Sequence, residues 1–310
     1  MTVYKLRHTT RYEYEAPVLH AHHSAHLRPR TTDNQTVSES ALQVHPSPRS
    51  VREQADYFGN ICDIIELGES HDCFEVTAHT RVAVGRKTIA ESPPCGLTTW
   101  DNTVLNLKSG TGYLTELELA FDSPLVRAHP MLHQYAANLF TPGRDLVDSI
   151  QELNHRINHD FTYEPSSTEI STPLAVVMRE RRGVCQDFAH VAVGCLRSFG
   201  LAARYVSGYL ETQPPPGKPR LVGADASHAW ASVFVPGAGW LDFDPTNNVL
   251  PSDRHVTVGW GRDFSDVSPL KGVVLGGGNH TVTVAVDVEP VALTSADPVS
   301  VQSQGAQRQR

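Results

Sequence analysis

The sequence predicts an α+β fold, because strand patterns and helix patterns occupy separate stretches of the chain. Residues 1 to about 125 contain short runs of alternating apolar and polar residues with turn signals between them, which favours an antiparallel β-sandwich-like domain. From about residue 128 the apolar period becomes helical, and strands return before residue 250. We therefore expect an N-terminal β domain over 1–125 and a core over 128–290, with helices packed on an antiparallel sheet.

The individual elements follow from the same patterns. The strand candidates are the alternating run 4–10 and the segments 41–44, 73–78, 80–84, 113–117 and 281–288. Apolar residues at 146, 147, 150, 153 and 157 share one helical face. The Ser-, Gln- and Ala-rich segment 291–310 predicts a disordered tail.

A cysteine begins one of the predicted helices. The apolar stripe that runs from Val184 to Phe199 ends at Gly200, so Cys185 falls in the first turn. Unpaired N–H groups and the helix dipole favour the thiolate there, and the thiolate is the nucleophilic form. The backbone N–H of Cys185 is also a candidate donor to an oxyanion. Cys195 lies on the apolar stripe and is expected to be an inert buried residue.

A histidine and several acidic residues follow on predicted neighbouring strands. Residues 228–235 form one strand candidate, 236–239 a turn and 240–244 the returning strand. His228 is suited to general acid–base chemistry, and a carboxylate can orient it. A tight turn centred on residues 237 and 238 would set His228 opposite Asn247, with Asp244 roughly 10 Å away. Spacing therefore leaves Asn247 and, more weakly, Asp242 as alternatives to Asp244, unless a bulge or an off-centre turn closes the gap, and the Gly-rich connection permits either.

Four segments together resemble the bacterial transglutaminase-like proteins, which belong to the papain-like thiol enzyme superfamily. They are Arg181–His190, Ala202–Tyr209, Asp225–Trp230 and Gly239–Asn247. The start of the chain, from Tyr4 to Val18, resembles the β domain that accompanies this core, and His255–Pro269 resembles the segment after it. The resemblance implies a papain-like, transglutaminase-like core with Cys185 as nucleophile, His228 as base and Asp244 as the orienting residue.

Composition narrows the partners and the compartment. The chain has 310 residues, a net charge of −8 and no basic stripe, which argues against nucleic acid. No apolar run is long enough for a membrane span, and the N-terminus lacks the pattern of a signal peptide. Five cysteines without zinc-site spacing fit a reducing cytoplasm. We expect a peptide or protein substrate, no cofactor and no metal, and homo-oligomerisation remains open.

Two further motifs have structural interpretations. The histidines at 20, 22, 23 and 26 lack accompanying Cys or carboxylate spacing, so we do not predict a metal site there. The proline-rich segment 214–219 predicts a stiff exposed loop rather than a partner ligand.

The predicted function is cysteine-dependent acyl transfer on an amide, with water as the favoured acceptor, as in a protease or amidase. Transglutaminase cross-linking, in which an amine resolves the same thioester, is the alternative, because it would use the same three residues. A non-catalytic binding module is the second alternative. The complete Cys, His and Asp set argues against that alternative.

Overall fold

A computed structural model describes residues 1–85, 98–110, 112–212 and 226–291. The proline-rich segment, Cys95 and residues 292–310 of the predicted tail lie outside the described residues. Within them, the strands are β1 (Thr2–Ala25), β2 (Gln35–His45), β3 (Ser50–Ala55), β4 (Ile61–Leu67), β5 (His71–Val84), β6 (Thr162–Tyr163), β7 (Arg182–Gly183), β8 (Ala203–Leu210), β9 (Ala226–Val235), β10 (Gly239–Phe243), β11 (His255–Gly261), β12 (Leu270–Gly276) and β13 (His280–Val291). The helices are α1 (Trp100–Ser109), α2 (Leu114–Leu117), α3 (Pro130–Ala136), α4 (Leu146–Asp160), α5 (Leu174–Glu180) and α6 (Cys185–Ser198).

The long strand β1 organises the N-terminal antiparallel sheet. Its first half lies between β5 and β13, and its second half lies between β4 and β12. Strands β2 and β3 extend the sheet beyond β5 and β4. The last two strands of the described chain therefore return to pair with the first one. This arrangement confirms the expected α+β class with an antiparallel N-terminal sheet.

The stretch after the N-terminal strands is helical, which corrects two expectations. The segment 113–117 was predicted as a strand, but Leu114–Leu117 form α2, and α1 also lies within the stretch predicted as β. The three-residue spacing of Leu114 and Leu117 suits a helical turn as well as a strand, and so short a run cannot distinguish them. α1 begins where the Thr99 side chain accepts from the N–H of Asn102 and ends at Gly110.

The core places α6 against an antiparallel four-stranded sheet in the order β10-β9-β8-β11. Helix α6 packs on β9 and β8 and is itself covered by α3, α4 and α5. Its predicted apolar stripe is buried, from Phe188 to Leu196, and Gly200 follows with a φ of +81° that favours glycine. No helix in the described ranges is both long enough and apolar enough to span a bilayer.

Two side-chain amides attach the N-terminal sheet to the outer edge of β11. Gln35 donates to the carbonyl of Thr257 at 2.6 Å and accepts from its N–H at 2.8 Å. Asn60 makes the same pair of bonds to Trp260, at 2.8 and 3.0 Å. Each amide makes the two backbone hydrogen bonds that a residue of an adjacent strand would make. The outward N–H and C=O groups of Thr257 and Trp260, on the edge strand β11, are therefore paired.

An apolar cluster seals the same junction. Tyr209 of β8 packs among residues of both sheets, including Tyr4, Val256 and Val286. The Tyr209 hydroxyl donates to the carbonyl of Leu27 at 2.8 Å. The core sheet and the N-terminal sheet are thereby held together through buried contacts, which fixes β11 relative to the rest of the core.

Candidate active site

Cys185 is the first residue of α6 and is half-buried. The first N–H groups of a helix have no partner within the helix, so the backbone at Cys185 can donate to a negatively charged oxygen beside the thiol. The predicted position of this cysteine is therefore the observed one.

The residues around Cys185 explain why the chain turns sharply there. Asp187 accepts from the N–H of Val184 at 2.9 Å and from the hydroxyl of Thr168 at 2.7 Å, which caps the start of α6. A Cβ on Gly183 would lie 2.6 Å from Oδ2 of Asp187, so only glycine fits beside this cap. Burial raises the pKa of Asp187 and outweighs the effect of these two hydrogen bonds.

His228 and Asp244 meet because the β9–β10 hairpin is one residue out of the expected register. The pairs run from Val235–Gly239 to Ala231–Phe243, which extrapolates to Trp230 opposite Asp244. With the expected turn, Asp244 would lie opposite Ala231, and its side chain would be on the face of the sheet opposite to that of His228. The observed register puts Asp244 diagonally across from His228 on the same face, within side-chain reach.

Asp244 is fully buried and accepts hydrogen bonds on both carboxylate oxygens. Its Oδ2 lies 2.8 Å from Nε2 of His228 and 3.1 Å from Nε2 of His255. Its Oδ1 accepts from the N–H groups of Thr246 and Asn247 at 3.0 and 3.2 Å. Burial alone would raise the pKa of Asp244, but the hydrogen bonds from the two histidines reverse that effect and hold it well below its usual range.

His228 connects Asp244 to Cys185. With Nε2 directed to Asp244, Nδ1 is the ring nitrogen available to the thiol of Cys185, whose interaction with His228 contributes to the pKa of the imidazole. Burial would lower the pKa of His228, but the hydrogen bonds to Asp244 and Cys185 raise it to about 10. The structure thus places His228 against Asp244, the residue that the family resemblance favoured, with Cys185 at the start of α6.

The two alternatives to Asp244 occupy different places. Asn247 donates its side-chain amide to Oδ2 of Asp244 at 2.7 Å, and the same nitrogen lies 3.3 Å from Nε2 of His228. Because both of those nitrogens are donors when His228 is protonated, Asn247 supports the carboxylate rather than replacing it. Asp242 stands opposite Ser232 in the ladder, further along the hairpin from His228.

Sequence reasoning missed three residues near this site. His255 was part of the resemblance, but no role followed from its pattern. Tyr163 is 52% exposed, pairs in register with Gly183 and packs edge-on against Phe188. Burial and the nearby charge of Cys185 raise the pKa of Tyr163. Phe264 packs against the same small apolar cluster as Cys185, so the segment after the core contributes an aromatic residue to the surroundings of the site.

Cys195 has the environment expected of an inert thiol. It is fully buried on α6, and burial raises its pKa to about 12. Its contrast with Cys185, ten residues earlier on the same helix, is a difference in exposure and in the presence of an imidazole partner.

The histidine cluster near the N-terminus does not converge. His20 and His22 are exposed, and His23 is buried against the Phe74 ring at a centroid distance of 4.3 Å. His26 lies 3.3 Å from a carboxylate oxygen of Asp56. Burial opposes protonation of His26, but hydrogen bonds to Asp56 and Cys62 raise its pKa to about 9.

Comparison with known proteins agrees with this architecture. Residues 4–83 match the bacterial transglutaminase-like N-terminal region, and residues 133–245 match the transglutaminase-like superfamily. An uncharacterised protein of Mycobacterium tuberculosis is 39% identical over 299 residues, which cover 93% of this chain and 92% of the relative. The chain belongs to the transglutaminase-like superfamily. The likeness extends over both its sheets rather than the core alone.

One sequence relative and one solved structure carry more specific functional descriptions. A protein-glutamine gamma-glutamyltransferase of Pseudomonas aeruginosa is 33% identical over 106 residues, covering 33% of this chain and 16% of that protein. A solved structure from Cytophaga hutchinsonii, described as a candidate cysteine protease, aligns over 94% of this chain and 92% of its own, with a TM-score of 0.73 and 19% identity. At that identity the likeness concerns the fold, which is shared from the first strand through the core.

Proposed function

We propose that this protein transfers acyl groups from amide substrates through a thioester on Cys185, with water as the usual acceptor. The observation that carries the proposal is the 2.8 Å hydrogen bond between the buried His228 and Asp244, with the other ring nitrogen of His228 available to Cys185 at the start of α6. A thiol at a helix start, a buried imidazole and an ionised carboxylate supply the nucleophile, base and orienting group that this chemistry requires.

The proposed reaction begins with the proton of the Cys185 thiol already on His228, and the sulfur attacks the amide carbonyl carbon as a thiolate. The oxygen becomes negatively charged, and the backbone N–H of Cys185 is placed to donate to it. His228 then gives its proton to the departing nitrogen as the C–N bond breaks and the thioester remains. Water attacks the thioester with His228 as base, the C–S bond breaks, and a carboxylic acid and free thiol are released.

Asp244 supports both steps without gaining a proton. Its low pKa keeps it ionised, so it stabilises the imidazolium form of His228 whenever the base holds a proton. Its hydrogen bond to Nε2 also leaves Nδ1 directed towards the sulfur.

Transamidation is the second candidate, and the segment shared with the Pseudomonas aeruginosa gamma-glutamyltransferase favours it. An amine would attack the same thioester in place of water. The two reactions share every residue of the proposed mechanism. We favour hydrolysis because water requires no second binding site for an acceptor.

The deciding experiment is mass spectrometry of the products from a panel of glutamine-containing peptides and peptide amides, with and without a lysine-like amine. Hydrolysis predicts the free acid in both conditions, and transamidation predicts the amine conjugate whenever amine is present. Cys185→Ser is the control, because it keeps a similar side chain and removes the thiol. If neither product forms, and no acyl mass appears on the peptide that contains Cys185, the protein is a binding module.

Metal chelation provides an independent check. The proposed mechanism uses no metal, so EDTA should leave turnover unchanged, while thiol alkylation should abolish it. Activity that disappears with EDTA and returns with zinc would contradict a thiol mechanism.

A further inference from the structure

We propose that His255 is a positioning residue that donates a fixed hydrogen bond to Asp244 and so aims its carboxylate at His228. The inference rests on the proposed function, since it assigns a role within the same site. His255 is the first residue of β11 and is 3% exposed, and its Nε2 lies 3.1 Å from Oδ2 of Asp244.

The tautomer of His255 follows from its other ring nitrogen. The backbone N–H of Ser252 donates to Nδ1 of His255 at 3.3 Å. A nitrogen that accepts a hydrogen bond has its lone pair free, so the ring proton must be on Nε2. His255 therefore presents a neutral N–H to Asp244, and the backbone fixes which nitrogen carries that proton.

The ring is held in place on its other sides. Trp230 packs edge-on against His255 at a centroid distance of 5.4 Å, and the N–H of His255 donates to the carbonyl of Ser252 at 3.0 Å. A Cβ on Gly208 would lie 2.4 Å from the Trp230 ring, so glycine lets the tryptophan reach this position. The donor to Asp244 is thus attached to rigid strands rather than to a mobile loop.

His255 adds a donor to the carboxylate oxygen that faces His228, which is Oδ2 of Asp244. Oδ2 of Asp244 lies within hydrogen-bonding distance of three side chains, those of His228, His255 and Asn247. Two neutral donors fix the carboxylate plane and disfavour its protonation, so Asp244 remains an anion when His228 becomes an imidazolium.

A metal centre is the competing interpretation of the same residues. The ligand atoms of His228, Asp244 and His255 all lie within 4.8 Å of one another. A metal on Nε2 of His255 would require the ring proton on Nδ1, where it would face the N–H of Ser252. The observed hydrogen bond therefore favours a proton donor over a metal ligand.

Two substitutions separate the donor from the shape of the ring. His255→Gln keeps an N–H donor at a similar reach, whereas His255→Phe keeps a ring against Trp230 and removes the donor. In peptide-amide hydrolysis we expect His255→Phe to lower kcat about tenfold or more with little change in KM, and His255→Gln to restore most of that loss. Similar losses in both variants would mean that His255 is only a packing residue.

Two measurements test the role of His255 without an activity assay, so they apply even if no substrate is found. Nitrogen-15 histidine NMR of the Cys185→Ala protein should show His255 as the Nε2–H tautomer; a proton on Nδ1 overturns the proposal. Iodoacetamide should label Cys185 more slowly in His255→Phe than in wild type or His255→Gln, and equal rates in folded proteins would also overturn it. If His255→Phe fails to fold, the proposal is tested by the tautomer of His255 and by the rate at which iodoacetamide labels Cys185 in His255→Gln.

Zinc titration in the same NMR experiment distinguishes the metal interpretation. Micromolar zinc should leave the resonances of His228 and His255 unchanged. A zinc-dependent shift of both, lost in His255→Gln, would identify a metal site and overturn the proposal.

Discussion

The side-chain amide of Asn247 donates to Oδ2 of Asp244 at 2.7 Å, the oxygen that His228 also contacts at 2.8 Å. The asparagine therefore acts on the carboxylate and not in its place. Asp244→Asn should lower kcat/KM at least about tenfold, because it removes the charge that stabilises the imidazolium. Asn247→Ala should cost only about threefold, because the contacts of Oδ2 with His228 and His255 and both backbone N–H donors to Oδ1 remain. Peptide-amide hydrolysis by the two variants measures the difference; a larger loss in Asn247→Ala would reverse the assignment.

Iodoacetamide should react with Cys185 about a hundredfold faster than with Cys195 in the folded protein, since only the first is partly exposed beside an imidazole. Peptide mapping after short exposures gives both rates in one sample. Unfolding in urea should bring the two rates together, which serves as the control. Comparable labelling of both thiols without urea would show that Cys185 lacks an activated environment.

The pH above which turnover decreases should be set by the pKa of His228. Its pKa is raised to about 10 by the contacts with Asp244 and Cys185, so the imidazolium that protonates the leaving nitrogen persists until the pH passes that value. kcat/KM for an amide substrate should therefore fall only near pH 10. In Asp244→Asn the raising contacts are weakened, the pKa of His228 decreases, and the fall should move to lower pH. An alkaline limit that is identical in both proteins would assign it to another group.

Acid should destabilise the fold through its buried neutral histidines. Burial lowers the pKa of His23 to about 4, as it does for His8 and His190. Between about pH 6.5 and 4 the unfolded chain binds protons that the folded protein excludes, so stability is full above the unfolded value and decreases as the pH falls through this window. Each histidine should cost roughly 1 to 2 kcal/mol between pH 7 and 5.

Urea denaturation of wild type and His23→Phe at the two pH values tests this expectation. The phenylalanine can keep the stacking against Phe74 and cannot bind a proton, so its loss of stability on acidification should be smaller than that of wild type. His20→Gln, at an exposed position of the same strand, should keep the wild-type pH dependence. An unchanged slope in His23→Phe would mean that His23 is protonated in the folded state.

Local patterns were sufficient to place Cys185 at the start of α6. The apolar period fixed the start and buried face of α6, and both Cys185 and Cys195 have the environments that their positions on that period imply. The pairing of His228 with Asp244 depended on the register of one hairpin. A shift of a single residue there changes which side chains share a face, and the composition of the turn permits either register. Only the resemblance favoured Asp244.

His255 was beyond sequence reasoning for a different reason. It is distant in sequence from Cys185, and its role depends on a backbone N–H at Ser252 and on the packing of Trp230. Neither the Ser252 contact nor the Trp230 packing produces a recognisable periodicity or residue spacing in the sequence. The helices α1 and α2 were missed because short runs with mixed spacing fit a strand and a helix equally well.

Gln35 and Asn60 have a consequence for how substrates can approach. Many proteins capture extended peptides by letting them join a sheet as one more strand, with main-chain bonds along an open edge. At β11 the outward groups of Thr257 and Trp260 are already engaged by the two amides. A peptide is therefore excluded from joining the core sheet as an additional strand at the outward groups of Thr257 and Trp260.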